Sequence, residues 1–154
     1  MAIECYQYKK YIDELAKIEP SLSDMTYKDI VGLVFDYNND PNVYVLDVKE
    51  DNGMNVGFIV ILNNTMTNPC VDYHIDQCYV NHLYRRNGLA KRTIVRFINE
   101  HSGTYSLDIL KGNDVAEKFW KSVFDEVGAV KRDDIPDYRD YDWLTTTNWN
   151  VYTK

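Results

Sequence analysis

A chain of 154 residues with a formal net charge of −7 is long enough to bury a real core as one domain. With 45% hydrophobic and 27% charged residues it is neither disordered nor fibrous. A pI near 4.9 argues against nucleic acid as the main partner, because phosphate binding needs a basic face, and fits small cations or basic protein segments better.

No run approaches 18 apolar residues, so no membrane span is expected. Met1 to Ile18 alternates apolar with charged residues and lacks the apolar stretch of a signal peptide. Cys5, Cys70 and Cys78 are an odd number in a chain that needs no disulfides. They read as reduced thiols of a cytoplasmic protein. His74, His82 and His101 are scattered and no Cys-x-x-Cys occurs, so no metal site is expected. With no repeat and no linker, residues 1–154 read as a single domain.

Helical periodicity comes first. Tyr8, Tyr11, Ile12, Leu15 and Ala16 form one stripe, stopped before Pro20. A second stripe, Tyr27, Ile30, Val31, Val34 and Tyr37, follows Thr26, with Asp29 placed for a capping box. Met1 to Tyr6 could add a short edge strand. Val43 to Val48 and Val56 to Leu62 are β-branched runs around Asn52-Gly53, a hairpin signal. Cys70 to Val80 alternates and predicts a third strand. From Gly88 the period is helical again, with Ala90, Ile94, Phe97, Ile98 and His101 on one face. Thr104 to Leu110 is another strand. Val115 to Val127 is an amphipathic stripe closed by Gly128. Asp137 to Tyr152 reads as one or two strands. A three-strand meander followed by a β-α-β unit gives a mixed α/β sheet.

One segment departs from the acidic average. From His82 to Arg96 there are five basic residues, Arg85, Arg86, Lys91, Arg92 and Arg96, and no acidic one. Asn87-Gly88 stands where the strand gives way to the helix. Free N–H groups and the positive dipole end make a helix start an anion site, and Gly88 lets a phosphate approach. A basic solvated helix face with an ordinary turn explains the same residues.

The run Val80-Asn81-His82-Leu83-Tyr84-Arg85-Arg86-Asn87-Gly88-Leu89-Ala90 resembles the acetyl-CoA signature of the GNAT (GCN5-related N-acetyltransferase) superfamily. There a strand ending in Val leads to Arg/Gln-x-x-Gly-x-Gly/Ala. Further on, Asn113-x-x-Ala116-x-x-Phe119-Trp120 resembles the family's second motif, Asn-x-x-Ala-x-x-Phe-Tyr. The resemblance is close over residues 43–130. It implies the GNAT fold: a central mixed, mostly antiparallel sheet, splayed at the acetyl-CoA strand and flanked by about four helices.

The resemblance also implies roles. The pyrophosphate of acetyl-CoA would sit on Arg85, Arg86, Asn87, Gly88, Leu89 and Ala90, held mainly by backbone N–H groups, with the two arginines supplying charge. The pantetheine arm would pair with Cys78, Tyr79 and Val80, and the Val80 N–H would polarise the thioester carbonyl. Asn113 would contact the cofactor, although an Asn there serves equally as a helix N-cap.

Attack needs a neutral amine, so a base must take a proton from a group whose pKa is near 10. Strand alternation would place Asp72, His74, Asp76 and Cys78 on one face, with Tyr73, Ile75, Gln77 and Tyr79 on the other. His74 and Asp76 are the candidate bases, His74 first because its ordinary pKa is nearest neutrality; a solvated strand face is the plainer alternative. Trp120 stands where many family members carry a proton-donating Tyr, and it also fits a core stripe. Asp133 to Asp142 holds five Asp against one Arg, interleaved with Tyr138 and Tyr141. It would line the acceptor side for a cationic amine, or simply solubilise a loop.

The expectation is an acetyl-CoA-dependent N-acetyltransferase acting on a primary amine, cationic and either small or part of a protein, by direct transfer in a ternary complex. A GNAT-fold acyl-CoA-binding or interaction module with little catalysis is the rival. Family members are often dimers, which leaves a homodimer open.

Overall fold

The structure is a computed structural model that describes residues 3–63, 68–136 and 142–152. Its elements follow the predicted order. Helix α1 spans Cys5–Leu15 and α2 Tyr27–Asn39. Strands β1 (Val43–Lys49), β2 (Asn55–Asn63) and β3 (Tyr73–Val80) make the meander. Then come α3 (Leu89–Glu100), β4 (Gly103–Leu110), α4 (Asp114–Glu126), β5 (Val130–Arg132) and β6 (Leu144–Val151).

Local chemistry sets several boundaries. Thr26 and Asp29 form the anticipated capping box, each side chain bonding the other's backbone N–H at 3.2 and 2.9 Å. The β1–β2 turn closes through Gly53 at φ +86°, a left-handed conformation that glycine adopts without a Cβ penalty. Two expectations fail. Residues 3–6 form no strand, because Cys5 already begins α1. Cys70 to Asp72 are a turn instead of strand. Asp72 N donates to Thr104 O and Asp72 Oδ2 accepts from Thr104 N, both at 2.8 Å, so the strand proper begins at Tyr73. The short β5 was not anticipated; it borders β6 through Val130↔Asn150 and Arg132↔Asn148.

The sheet order is β1-β2-β3-β4-β6-β5, antiparallel except for β3 beside β4. One face carries the larger core, in which Ile59, Ile61, Ile75, Tyr105 and Leu107 pack against Ile94, Phe97 and Ile98 of α3 and Val123 and Phe124 of α4. The other face is closed by α1 and α2: Tyr8, Ile12, Ile30 and Val34 cover Phe58, Val60, Leu62 and Tyr79. Each such side chain contributes about 1.5–3 kcal/mol by leaving water. This second core draws only on residues that precede β4. No described helix is long and apolar enough to cross a membrane.

Candidate active site

Strands β3 and β4 run together for only three residue pairs, Tyr73↔Tyr105, His74↔Ser106 and Ile75↔Leu107. Beyond them β3 continues to Val80 on β2, and β4 continues to Leu110 on β6. The two diverge, leaving the edge of β3 from Asp76 to Val80 without a strand partner among the described residues. The direction of the amides follows from one bond. Asn81 N donates to Val56 O on β2 at 2.8 Å, so by alternation the Val80 N–H points the other way, into the opening. Gly57 lets β2 approach this segment, since a Cβ there would clash with the Tyr79 carbonyl.

At the mouth of the opening, a 3-10 turn over His82–Tyr84 leads to α3. Gly88 is the N-cap of α3 at φ +72°, and no side chain caps the helix. The first helical bond is from Arg92 N to Gly88 O, so the N–H groups of Leu89, Ala90 and Lys91 have no intrahelical acceptor. Nothing lies within 4 Å of where a Gly88 Cβ would be. An uncapped helix start under open space is an anion cradle made of backbone. Leu89 anchors it by burying its side chain in the larger core. A shallow groove of roughly 430 Å³ continues along α3 past Lys91, Arg92 and Arg96. It runs along the helix, apart from the opening between β3 and β4.

Each predicted cofactor residue has a definite place. Arg86, at φ +66°, and Asn87 are exposed on the loop. Arg85 is not turned toward the cradle: its Nε donates to Val80 O at 2.7 Å, and its guanidinium pairs with Glu14 of α1 at 2.5 Å and lies 5.8 Å from the Tyr79 ring. It is a strut between α1 and the end of β3. Ala90 is half-buried in the first turn of α3. Asn113 caps α4, its Oδ1 accepting from Ala116 N at 3.2 Å. Trp120 lies in the core against Phe119 and Phe124, as its place in the apolar stripe predicts.

Where the strands part, polar groups gather. His74 is fully buried. Its Nδ1 is 2.5 Å from Ser106 Oγ, and its Nε2 lies 3.3 Å from Asp108 Oδ2 and 3.6 Å from Asp76 Oδ1. Tyr37 of α2 donates to Asp76 Oδ2 at 3.1 Å and accepts from Gln77 Nε2 at 2.9 Å, while Thr146 donates to Asp108 Oδ1 at 2.6 Å. Burial, then the neighbouring Asp76 charge, pushes the Tyr37 hydroxyl far up, and burial brings Tyr8 to about 12. Both phenols are therefore neutral donors at ordinary pH. Of the two carboxylates Asp76 is the more open, with a side chain 20% exposed against 8% for Asp108.

The predicted alternation breaks inside β3. Val60 pairs with Gln77 but Ile61 pairs with Ile75, so Asp76 is the extra residue of a β-bulge. Asp76 and Gln77 both reach Tyr37 on the α2 side. Past the bulge the parity is reversed: Cys78 and Val80 face the larger core with Tyr73 and Ile75, and Tyr79 joins the α1–α2 core. Burial pushes the Cys78 thiol up to about 12. Nor is the His74 face solvated, since the ring is enclosed. Sequence reasoning missed Ser106, Asp108, Thr146 and Tyr37. The alternation of Ser106 and Asp108 with Tyr105, Leu107 and Ile109 was the available signal. Of the acidic aromatic stretch, residues 137–141, including Tyr138 and Tyr141, lie outside the described residues.

No family model matches the chain, and no curated protein matches it in sequence. Solved structures do match. GCN5 from Tetrahymena is similar with a TM-score of 0.60 at 18% identity, over 96% of this chain and 91% of that one. Spermidine N-acetyltransferase from Vibrio cholerae, solved with CoA and spermine, gives 0.61 at 10% identity, over 98% and 92%. Diaminobutyrate acetyltransferase EctA from Paenibacillus lautus, solved with its substrate and CoA, gives 0.59 at 18%, over 98% and 93%. With six strands in this order among the described residues, a parallel pair that parts at its centre and four α-helices among them, the chain has the fold of the GNAT acetyltransferases.

Proposed function

We propose that this chain is an acetyl-CoA-dependent N-acetyltransferase that moves an acetyl group to a cationic primary amine by direct transfer in a ternary complex. The observation that carries the reading is β3 itself. One open edge joins an uncapped helix start at one end to a carboxylate at a bulge at the other.

The residues fit acetyl-CoA on two counts: a strand edge with no strand partner among the described residues, for an amide-bearing arm, and backbone N–H groups for phosphate. The cofactor would supply the acetyl group as a thioester. The Leu89 and Ala90 N–H groups would hold the pyrophosphate, with Arg86 beside them, and Cys78 to Val80 would pair with the arm. The Val80 N–H would polarise the carbonyl. Asn113 is left as a helix cap.

Asp76 is the proton acceptor in this reading. Its carboxylate is the partly exposed member of the cluster, and Tyr37 fixes one of its oxygens. It takes one proton from the ammonium. The neutral nitrogen then forms a bond to the acetyl carbon as the carbon–sulfur bond breaks. The electron pair leaves with sulfur, and the second nitrogen proton passes to solvent. A thiol with a pKa near 8.5 leaves without obligatory protonation, which suits a fold whose Trp120 is in the core. His74, enclosed behind Asp76 and Asp108, is a positioning residue.

The test is a thermal shift with acetyl-CoA, followed by thiol release across amines. A shift together with release supports the transferase; a shift without release from any amine or basic peptide favours the binding module. No shift overturns both.

A further inference from the structure

The two helices that close the second face have unlike outer sides. On α1 the side turned to solvent carries Lys9, Lys10 and Asp13, the charged exterior expected of a surface helix. On α2 it carries Tyr27, Val31 and Phe35, exposed by 60, 42 and 65%. These three stand four residues apart, so they form one ridge along the helix. Beside the ridge runs the row Lys28, Gly32 and Asp36, all exposed. Single exposed apolar side chains are ordinary; an unbroken row of three on one helix marks a contact surface. Gly32 is a second, independent observation. It lies in the middle of α2, where glycine is less stable than alanine. Nothing within the chain requires it: its φ is not positive, and open space surrounds the position of a Cβ. What the missing side chain permits is the close approach of another backbone from outside.

The charges select the occupant. Lys28 precedes Gly32 by four residues and Asp36 follows it by four. Where two copies of one helix cross antiparallel about a two-fold axis, a residue before the crossing point meets its counterpart at equal distance after it on the other copy. A crossing at Gly32 therefore sets Lys28 opposite Asp36 of the second copy, and does so twice. A parallel crossing would instead set like charges together. The same axis keeps both apolar ridges on one side of the crossing, with Phe35 of each copy against Tyr27 and Val31 of the other. We propose that the outer face of α2 is a homodimer interface, in which two copies of this chain cross antiparallel at Gly32. The 13 residues of α2 span about 20 Å, so one crossing buries less than a standard interface and the dimer is a weak one, with a Kd in the micromolar range. The interface is independent of the proposed activity, and no cofactor or amine enters its test.

The test is sedimentation equilibrium of the full chain from micromolar to near-millimolar concentration. The weight-average mass is expected to rise from 18.1 kDa toward twice that value. Phe35→Glu should stay monomeric throughout, and because the side chain is exposed the variant should still fold. Lys28→Asp sets carboxylates against each other at both ends of the crossing and should weaken association by about tenfold. Adding Asp36→Lys to that variant reverses each pair and should bring the Kd back to within about threefold of wild type. Gly32→Ala should raise the melting temperature of the dilute protein by roughly 2–4 °C and yet weaken the dimer, a combination that a merely tolerated glycine would not give. A wild type that remains monomeric overturns the interface. So does a dimer that survives Phe35→Glu, a double charge variant no tighter than Lys28→Asp alone, or a Gly32→Ala dimer as tight as wild type.

Discussion

The two ends of β3 are built on different principles. At the Val80 end the candidate groups are backbone: the N–H of Val80 and those of the first turn of α3, with Gly88 left-handed and open space where its Cβ would be. At the Tyr73 end they are side chains, His74, Asp76 and Asp108, from two strands that are parallel neighbours for three pairs and then part. The first is a local device made by consecutive residues. The second exists only because 32 residues separate His74 from its partner Ser106 and the fold returns the chain beside itself. Under the proposed function, cofactor binding and proton transfer would rest on separate groups and should be separable by mutation.

That separation makes the sharpest test. Asp76→Asn is expected to lower kcat by ~10²–10⁴-fold, the usual worth of a positioned acid or base, while the affinity for acetyl-CoA changes less than about twofold. Steady-state kinetics and calorimetry on the same preparation check it; an unchanged kcat would remove Asp76 from the mechanism. Gly88→Glu should do the opposite. A side chain at φ +72° strains the backbone and fills the space over the cradle with negative charge. At 100 times the wild-type Kd, the cofactor's stabilisation of about 2.7 kcal/mol should vanish, several degrees of melting shift. A retained shift would place the cofactor elsewhere.

A smaller effect probes the strut. Arg85 touches Val80 O and Glu14, not the cradle, so Glu14→Gln should weaken acetyl-CoA binding by less than about fivefold, in keeping with a partly exposed pair worth under about 1 kcal/mol. A loss of a hundredfold would mean that α1 organises the loop far more strongly than the contact suggests. The smallest effect is in reactivity. With its thiol pushed up to about 12, Cys78 should resist alkylation at pH 8 while the exposed Cys70 reacts. The sign of the linkage follows. The unfolded thiol ionises near pH 9 and the folded one only near 12, so Cys78 stabilises the fold below pH 9 and loses that contribution as pH rises toward 12. Cys78→Val should flatten this alkaline decline in melting temperature.

The order of elements was legible because hydrophobic period and turn chemistry are local. Thr26 with Asp29, Asn52-Gly53 and the α4 stripe each announce themselves within a few residues. Asn113 was readable both as a cofactor contact and as a cap, and the fold uses its oxygen as a cap. Trp120 had fitted a core stripe, and it lies in the core. The short β5 escaped because three residues carry no period. The face assignment of β3 failed at one point. Alternation assumes an unbroken ladder, and the single extra residue at Asp76 reverses every side chain beyond it.

What the sequence determined by itself is therefore the uncapped helix start: Gly88 to Lys91 lie side by side in the chain, and a glycine before a helix leaves its first N–H groups without a side-chain cap wherever the domain is placed. What only the tertiary structure decided is the cluster at the parting of the strands. Its members come from β3, β4, β6 and α2, and their meeting depends on a parallel pairing that ends at Ile75↔Leu107, on a bulge that turns Asp76 toward Tyr37, and on β6 bringing Thr146 and Asn148 to the same face. Alternation within β4 shows that Ser106 and Asp108 share a face, but which residues they meet is fixed by strand register instead of by local propensity.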